Sequence, residues 1–169
     1  MNYKKSLFRV LLLLQVVFLF VACNSIKGDE EIKVNNLLDE WHKAASNADF
    51  DEFFGKMHED AIYLGTQADE RWSKNEFIDF AKPFFDKGRA WSFKPFNRTL
   101  YKSNDANLYW FEESLKTWMG VCRGSGVFLK NYDEWKIIHY NLSVTISNDL
   151  VNDFIDVIKN DSINSFLLD

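Results

Sequence analysis

The stretch from Asn107 to Thr145 holds most of the side chains that could do chemistry in this chain of 169 residues. Glutamate and histidine can transfer protons, and arginine can pair with an anionic or carbonyl group of a bound molecule. The side chains concerned are Glu112, Glu113, Arg123, Ser125, His139 and Asn141. They lie on three runs rich in aromatic and β-branched residues, with turns at Met119-Gly120 and at residues 131–134, which predicts three antiparallel strands.

The sequence has no pattern typical of a metal site or of a phosphate-binding loop. His42, His58 and His139 lack the spacing of a metal site and have no cysteine pair beside them, so neither a metal nor another cofactor is expected. The glycines at 124 and 126 lie inside a predicted strand and not before a helix, which argues against a phosphate-binding loop.

The first 22 residues form a basic and then apolar leader. Lys4, Lys5 and Arg9 precede an apolar run, Val10 to Ala22, that is too short for an ordinary membrane-spanning helix. Ala22-Cys23 resembles the lipobox of bacterial lipoproteins, with Phe20 where leucine is usual. The resemblance implies cleavage before Cys23, lipid attachment to it, and a protein anchored in the bacterial cell envelope, with the outer membrane as the expected location.

Charge and cysteine content argue against a nucleic-acid partner and against an intrachain disulfide. The leader contains three of the 20 basic residues and none of the 25 acidic ones, so the remainder has a formal charge of −8. A nucleic-acid binder would need a basic face, so nucleic acid is not an expected partner. With Cys23 lipidated, Cys122 has no partner for a disulfide, and we expect it to be a small, buried hydrophobic residue.

Helical periodicity and capping residues predict the first half of the domain. Residues 23–31 form a polar tether, and apolar residues at helical spacing predict a helix from Ile32 to Ala48, with His42 beside the apolar stripe and facing solvent. Asp49 or Asp51 caps a second helix through Met57, and a strand covers Ala61 to Thr66. Ser73 and Glu76 form a capping box for a third helix, which Pro83 should kink or shorten.

Four strands and a C-terminal helix complete the pattern. The first strand, Trp91 to Lys102, contains Pro95 and therefore belongs at a sheet edge or a bulge. The three strands of the Asn107–Thr145 stretch follow, and a helical pattern begins at Asn148 and leads into the tail, residues 148–169. Helices before an antiparallel meander predict an α+β fold.

Residues 32–147 resemble the nuclear transport factor 2-like superfamily and, within it, the SnoaL-like branch. The matching segments are Gly65-Thr66, Glu70-Arg71-Trp72, Pro83 to Trp91, Arg98, Arg123 to Val127, and Trp135 to Ser143. The resemblance implies a cystatin-like roll: a cone-shaped, curved antiparallel sheet wrapped around the N-terminal helices, with a cavity at its open end.

Strand alternation assigns side chains to that cavity. It predicts that Glu113, Arg123, His139 and Asn141 face the interior, with aromatic walls from Tyr63, Trp72, Phe77 and Trp91. Two alternatives remain: Arg123 could form a buried salt bridge with Glu113 that braces the sheet, and His139 could be a hydrogen-bonded core histidine. Arg71 and Arg98 are interpreted as surface or loop-pinning residues.

Two functions follow from this assignment. The first is a binding protein that holds a small, partly apolar molecule, with Arg123 pairing to it. The second, implied by cyclases and ketosteroid isomerases among the relatives of the fold, is an enzyme with Glu113 or His139 as the proton-transfer group. A purely structural role in assembly is a third possibility. An apolar face made by Ile138, Tyr140 and Leu142, extended by Trp110 and Trp118, predicts a homodimer.

Overall fold

A computed structural model describes residues 28–104 and 107–159 of the chain. The predicted signal peptide, the lipidation site and the tail from residue 160 lie outside the described residues. The chain divides into two compact units, Met1–Leu38 and Asp39–Asp169. Helix α1 comprises residues 28–46, so residues 28–31, which were expected in the polar tether, are helical.

Helices and strands follow α1 in the order expected for an α+β fold. They are α2 (Phe50–Gly55), β1 (Met57–Leu64), β2 (Arg71–Ser73), α3 (Lys74–Asp86), β3 (Lys94–Lys102), β4 (Leu108–Thr117), β5 (Gly120–Asn131), β6 (Glu134–Val144), a 3₁₀ turn (Asn148–Leu150) and α4 (Val151–Ile158). The predicted fold class is therefore confirmed. The short strand β2 was not predicted, because its three residues lie in what reads as a loop between Gly65 and Ser73.

The strands form one curved, unclosed sheet in the order β2-β1-β6-β5-β4-β3. All neighbours pair in antiparallel fashion except β1 and β6, which are parallel. Strand β3 is an edge strand and its pairing with β4 shifts register between Phe96 and Thr99, so Pro95 lies on the edge that its missing N–H requires. Helix α3 packs against β1 and β2, and α2 contacts both α3 and β1.

The end of α1 and the start of α2 share one tight connection. Ala48 adopts a left-handed backbone conformation with φ of 53° and ends α1, and the N–H of Asp49 donates to the carbonyl of Ala44 at 2.9 Å. The Asp49 side chain then accepts the backbone N–H of Glu52 at 3.1 Å and caps α2. Of the two predicted capping residues, Asp49 is therefore the one used.

Helix α3 shows the predicted capping box. The Ser73 side chain accepts the Glu76 N–H, and the Glu76 carboxylate accepts the Ser73 N–H at 2.8 Å. Pro83 does not end the helix, which continues to Asp86. It stops where Gly88 adopts a φ of 67°, and the chain then turns towards β3.

Helix α4 keeps much of its apolar surface exposed. It has no buried residue, and Val151, Phe154, Ile155 and Val157 all remain accessible. Among the helices of the described residues, none is both long enough and apolar enough to cross a membrane.

Candidate functional site

The face of strand β5 that points to the interior is the opposite of the one predicted from the sequence. Cys122, Gly124, Gly126 and Phe128 are buried, whereas Arg123 is exposed and lies opposite Ser114 on β4 and Ser143 on β6. The prediction that Arg123 faces the cavity is therefore wrong. Both parities of this strand contain small or apolar residues, so alternation alone did not distinguish them. Cys122 is buried and free, as predicted.

A β-bulge in β6 reverses the orientation of the residues that follow it. Phe128 pairs with Ile137 and Val127 pairs with His139, which leaves Ile138 as the extra residue. Trp135 and Ile137, which alternation places on the same face as His139, point inwards, but beyond the bulge Tyr140 and Leu142 do so. His139 and Asn141 lie on the opposite face, where the Asn141 amide donates to Ser143 Oγ at 3.2 Å. Their predicted place inside the cavity is wrong.

The same reversal changes the predicted dimer face. Tyr140 and Leu142 are buried, so they cannot form an exposed apolar face with Ile138. Trp110 remains exposed and its ring stacks on Tyr101 with centroids 5.5 Å apart.

Glu113 faces the interior as predicted, but its partners differ from those expected. It is only 2% exposed, and its carboxylate lies 2.7 Å from His42 Nε2 and 2.8 Å from Arg98 Nε. The Tyr140 hydroxyl is a further, longer neighbour at 3.4 Å. Arg98, with a side chain 8% exposed, also reaches Asp39 through Nη1 at 2.8 Å. The salt bridge predicted for Arg123 is thus made by Arg98, which is buried and not on the surface.

His42 is 4% exposed and does not face solvent as predicted. It lies four residues after Leu38 and three before Ala45, both of which were expected on the helical stripe. The same periodicity could therefore have identified it as inward-facing. His42 also borders a cleft of about 310 Å³, whose lining includes the charged residues Asp39, Lys43 and Lys94.

A glycine opposite Glu113 makes room for this network. Gly124 pairs with Glu113 across β4 and β5, and a Cβ placed on it would meet the Tyr140 hydroxyl and lie 3.1 Å from Glu113 Cγ. The Gly-rich segment of β5 therefore allows a carboxylate and a tyrosine hydroxyl to approach the sheet backbone.

The network keeps Glu113 ionised. Burial raises the pKa of Glu113, but the hydrogen bond and charge of His42, followed by the charge and hydrogen bond of Arg98, outweigh it and leave that pKa below its ordinary value. Burial, followed by the Glu113 charge, raises the pKa of Tyr140 well above the usual range. Because Glu113 is ionised and can only accept, His42 Nε2 donates the 2.7 Å hydrogen bond.

The four predicted wall residues, Tyr63, Trp72, Phe77 and Trp91, line a pocket of about 170 Å³ that is separate from the Glu113 network. The sequence did not assign several further residues to this pocket: Gly65, Thr66, Glu70, Phe80, Phe93, Trp118, Met119 and Leu142. Glu113, Arg123, His139 and Asn141 are not among the lining residues.

The rings of this pocket lie close to parallel. Tyr63 and Phe77 stack at 3.9 Å with planes 16° apart, and Trp72 and Phe80 stack at 4.6 Å with planes 20° apart. Trp91 is 5.6 Å from Phe77 at 27°. Such a set offers flat surfaces to a flat molecule.

Trp118, in the turn between β4 and β5, also borders the pocket and is 84% exposed. A large apolar side chain with so little cover is the kind of surface group that often marks a contact site. Among residues 28–104 and 107–159, no three histidine, cysteine, aspartate or glutamate side chains lie close enough to hold a metal ion.

Tyr140 connects the buried network to the aromatic pocket. Its hydroxyl is beside Glu113, and its ring stacks on Tyr63 with centroids 5.4 Å apart and planes 21° apart. The ionised network therefore fixes the ring that supports Tyr63, and through it one wall of the pocket.

Solved structures share this fold at low sequence identity. A nuclear transport factor 2-like protein of unknown function from Pseudomonas putida KT2440 is 11% identical, with 72% of this chain and 91% of that chain covered and a TM-score of 0.60. A protein with a cystatin-like fold from Nostoc punctiforme PCC 73102 is 13% identical, with coverage of 69% and 92% and a TM-score of 0.57. A nuclear transport factor 2-like protein from Cytophaga hutchinsonii ATCC 33406 is 13% identical, with coverage of 68% and 98% and a TM-score of 0.58.

These similarities establish the fold and not an activity. No curated protein matches the chain. The model of the SnoaL-like domain family matches residues 34–147, which is most of the chain and includes the buried network and every residue that lines the aromatic pocket. The chain belongs to the SnoaL-like domain family.

Proposed function

We propose that this protein binds a small, flat and largely apolar molecule in the aromatic pocket. The observation that carries the proposal is the set of near-parallel rings around an open pocket of about 170 Å³, formed by Tyr63, Trp72, Phe77, Phe80 and Trp91. Drug-sized ligands occupy pockets of about 300–1,000 Å³, so the ligand of this site is smaller, of the order of one or two rings.

The pocket requires little rearrangement to bind such a molecule. Its rings already stack on one another, so a planar ligand would extend the stack and bury apolar surface without ordering the walls first. Trp118 is the exception, because it is held by few contacts and can fold over a ligand at the mouth.

The geometry gives less support to the alternative, a proton-transfer enzyme that uses Glu113 or His139. A general base needs a pKa near the working pH and a place within reach of the substrate. Glu113 has neither, because its two basic partners lower its pKa and it does not line the aromatic pocket. His139 lies on the other face of the sheet, beyond the β6 bulge.

Binding can be tested by replacing Trp118 with alanine. Titration calorimetry with indole as a flat probe should show weaker binding to Trp118→Ala, while thermal unfolding stays near that of the wild type because the side chain is so exposed. Tyr132→Ala is the matched control: Tyr132 is 95% exposed in the next hairpin turn and does not line the pocket. Equal affinity of all three proteins for indole, or no binding by any of them, would contradict the proposal.

The location proposed for this binding protein is the bacterial cell envelope, through a lipid on Cys23. Support comes from the basic and apolar leader followed by Ala22-Cys23. Radioactive fatty acid supplied to expressing cells should label the wild type and Cys122→Ala, whose cysteine is buried in β5, but not Cys23→Ala. Label retained in Cys23→Ala would exclude lipidation at this residue.

We also propose a homodimer, which would form through a different part of the sheet from the face predicted from the sequence. The exposed side of the sheet presents Trp110 and Tyr101, which pair on the neighbouring strands β4 and β3 and whose rings stack on each other. Light scattering should then show a dimer that Trp110→Lys dissociates, and a monomer at high concentration of the wild type would contradict it.

A further inference from the structure

We infer that the ligand of the aromatic pocket carries a positive charge, and that Glu70 is the residue that selects it. The inference rests on the proposed function and names the chemical class of the ligand: a small aromatic amine or quaternary ammonium ion. It reverses the expectation from the sequence, in which Arg123 would have selected an anionic or carbonyl group.

Glu70 is held at the pocket by the loop between β1 and β2. Its backbone carbonyl accepts the N–H of Gly65 at 2.8 Å. Its carboxylate accepts two hydrogen bonds from Gln67, one from the backbone N–H at 3.1 Å and one from the side-chain amide at 3.2 Å. Each oxygen therefore has one partner from the loop and keeps a further lone pair for a ligand.

Gly65 is required for this placement. A Cβ at Gly65 would meet Glu70 Oε2 directly and would also lie 2.9 Å from Glu70 Cβ. Any larger residue would push the carboxylate away from the pocket. The loop is thus shaped so that a carboxylate, and not a methyl group, fills the space beside Gly65.

The charge around the pocket has one sign. Glu70 is the charged residue among those that line it, and neither lysine nor arginine is among the lining residues that the structure describes. Within the described part of the chain, no basic side chain lies within ion-pair distance of the Glu70 carboxylate. The negative charge is felt inside the pocket, because after burial it is the next cause that raises the pKa of Tyr63.

Aromatic rings add to this negative field. The face of an aromatic ring has a negative quadrupole and attracts cations, most strongly in the case of tryptophan. Trp72, Trp91 and Trp118 all border the pocket with Glu70. A cation gains from both the rings and the carboxylate, whereas an anion would be repelled by both and would find no basic partner.

The test compares two probes of the same shape: phenyltrimethylammonium, which is a cation, and tert-butylbenzene, its neutral counterpart. Affinities are measured by titration calorimetry on the full-length chain, and the ratio between them is the readout. We expect Glu70→Gln to lower the affinity for the cation about tenfold, equivalent to about 1.4 kcal/mol, and to leave the neutral probe nearly unchanged. Asp69→Asn is the matched control, because Asp69 is an exposed neighbour of the same charge outside the pocket.

Salt dependence in the wild type gives a second readout that needs no variant. Raising ionic strength should weaken binding of the cation and not of the neutral probe, because salt screens a half-exposed carboxylate. This measurement keeps the inference testable if Glu70→Gln unfolds.

The outcomes distinguish failure of the charge inference from failure of the proposed binding function. Binding of both probes with a ratio that Glu70→Gln and salt leave unchanged would overturn the charge inference and leave the aromatic binding site standing. Tighter binding of benzenesulfonate, an anion of similar size, would also overturn it. Failure of both probes to bind the wild type would overturn the proposed function and, with it, the inference.

Discussion

Replacing Glu113 with glutamine should lower the free energy of unfolding by about 3 kcal/mol at neutral pH. The substitution keeps the size of the side chain and removes the charge that lies 2.7 Å from His42 Nε2 and 2.8 Å from Arg98 Nε. Because Glu113 is 2% exposed and the Arg98 side chain 8% exposed, water cannot take over the lost interactions.

The contacts of Arg98 explain why we expect a loss of stability at the lower end of the range for a broken buried ion pair. Breaking a buried ion pair costs about 3–5 kcal/mol, since the remaining charge stays in a poorly solvated place. The lower end applies here because the glutamine carbonyl can still accept the Arg98 Nε–H. In addition, Arg98 keeps its contact of 2.8 Å with Asp39.

The same substitution should change the response to acid. The pKa of Glu113 is lower in the folded chain than its ordinary value, since His42 and Arg98 together outweigh the effect of burial. Such a carboxyl contributes stability that is present above the unfolded pKa, about 4.3, and is lost as the pH falls through the folded pKa. The wild type should lose this contribution in acid, and the two proteins should converge in stability once the pH has fallen below the depressed pKa of Glu113.

Urea unfolding followed by circular dichroism, at neutral pH and in steps towards acid, measures both effects. Glu112→Gln is the control, because Glu112 precedes Glu113 on β4 and points to the exposed face, where its carboxylate accepts a long hydrogen bond of 3.3 Å from the Tyr101 hydroxyl. It should stay within about 0.5 kcal/mol of the wild type. The reasoning is refuted if Glu113→Gln matches this control at neutral pH, or if its deficit persists unchanged in acid.

Three further predictions concern stability. Gly124→Ala should destabilise the fold by about 1–3 kcal/mol, because its Cβ would press on Tyr140 and Glu113, whereas Gly55→Ala, with open space around it, should not; urea unfolding compares them. Ser73→Ala should cost about 1 kcal/mol through loss of the α3 cap, and a thermal melt that matches the wild type would contradict it. Burial raises the pKa values of Tyr63 and Tyr140, so their stabilising effect is complete below about pH 10 and is lost at higher pH; tyrosinate absorbance in an alkaline titration should then show at least two tyrosines that stay protonated until the chain unfolds.

Local features of the sequence determined the elements of this protein. The capping box of Ser73 and Glu76 and the edge position of Pro95 each depend on a few neighbouring residues, and each is found where it was predicted. The aromatic residues Tyr63, Trp72 and Trp91, which were expected in one cavity, do line a common pocket, but the polar residues expected with them do not line it.

Tertiary structure decided which polar groups meet. One extra residue at Ile138 reverses the second half of β6, and no property of the residue itself indicates a bulge, since register depends on how two strands pair. Likewise, the sequence suggested Arg123 as the salt-bridge partner of Glu113, but β3 and β5 both neighbour β4, and Arg98 of β3 is the arginine whose side chain reaches the interior. The sequence supplied the ionisable residues, but the parity of each strand determined whether a residue faces the core or the solvent, and parity is a property of the assembled sheet.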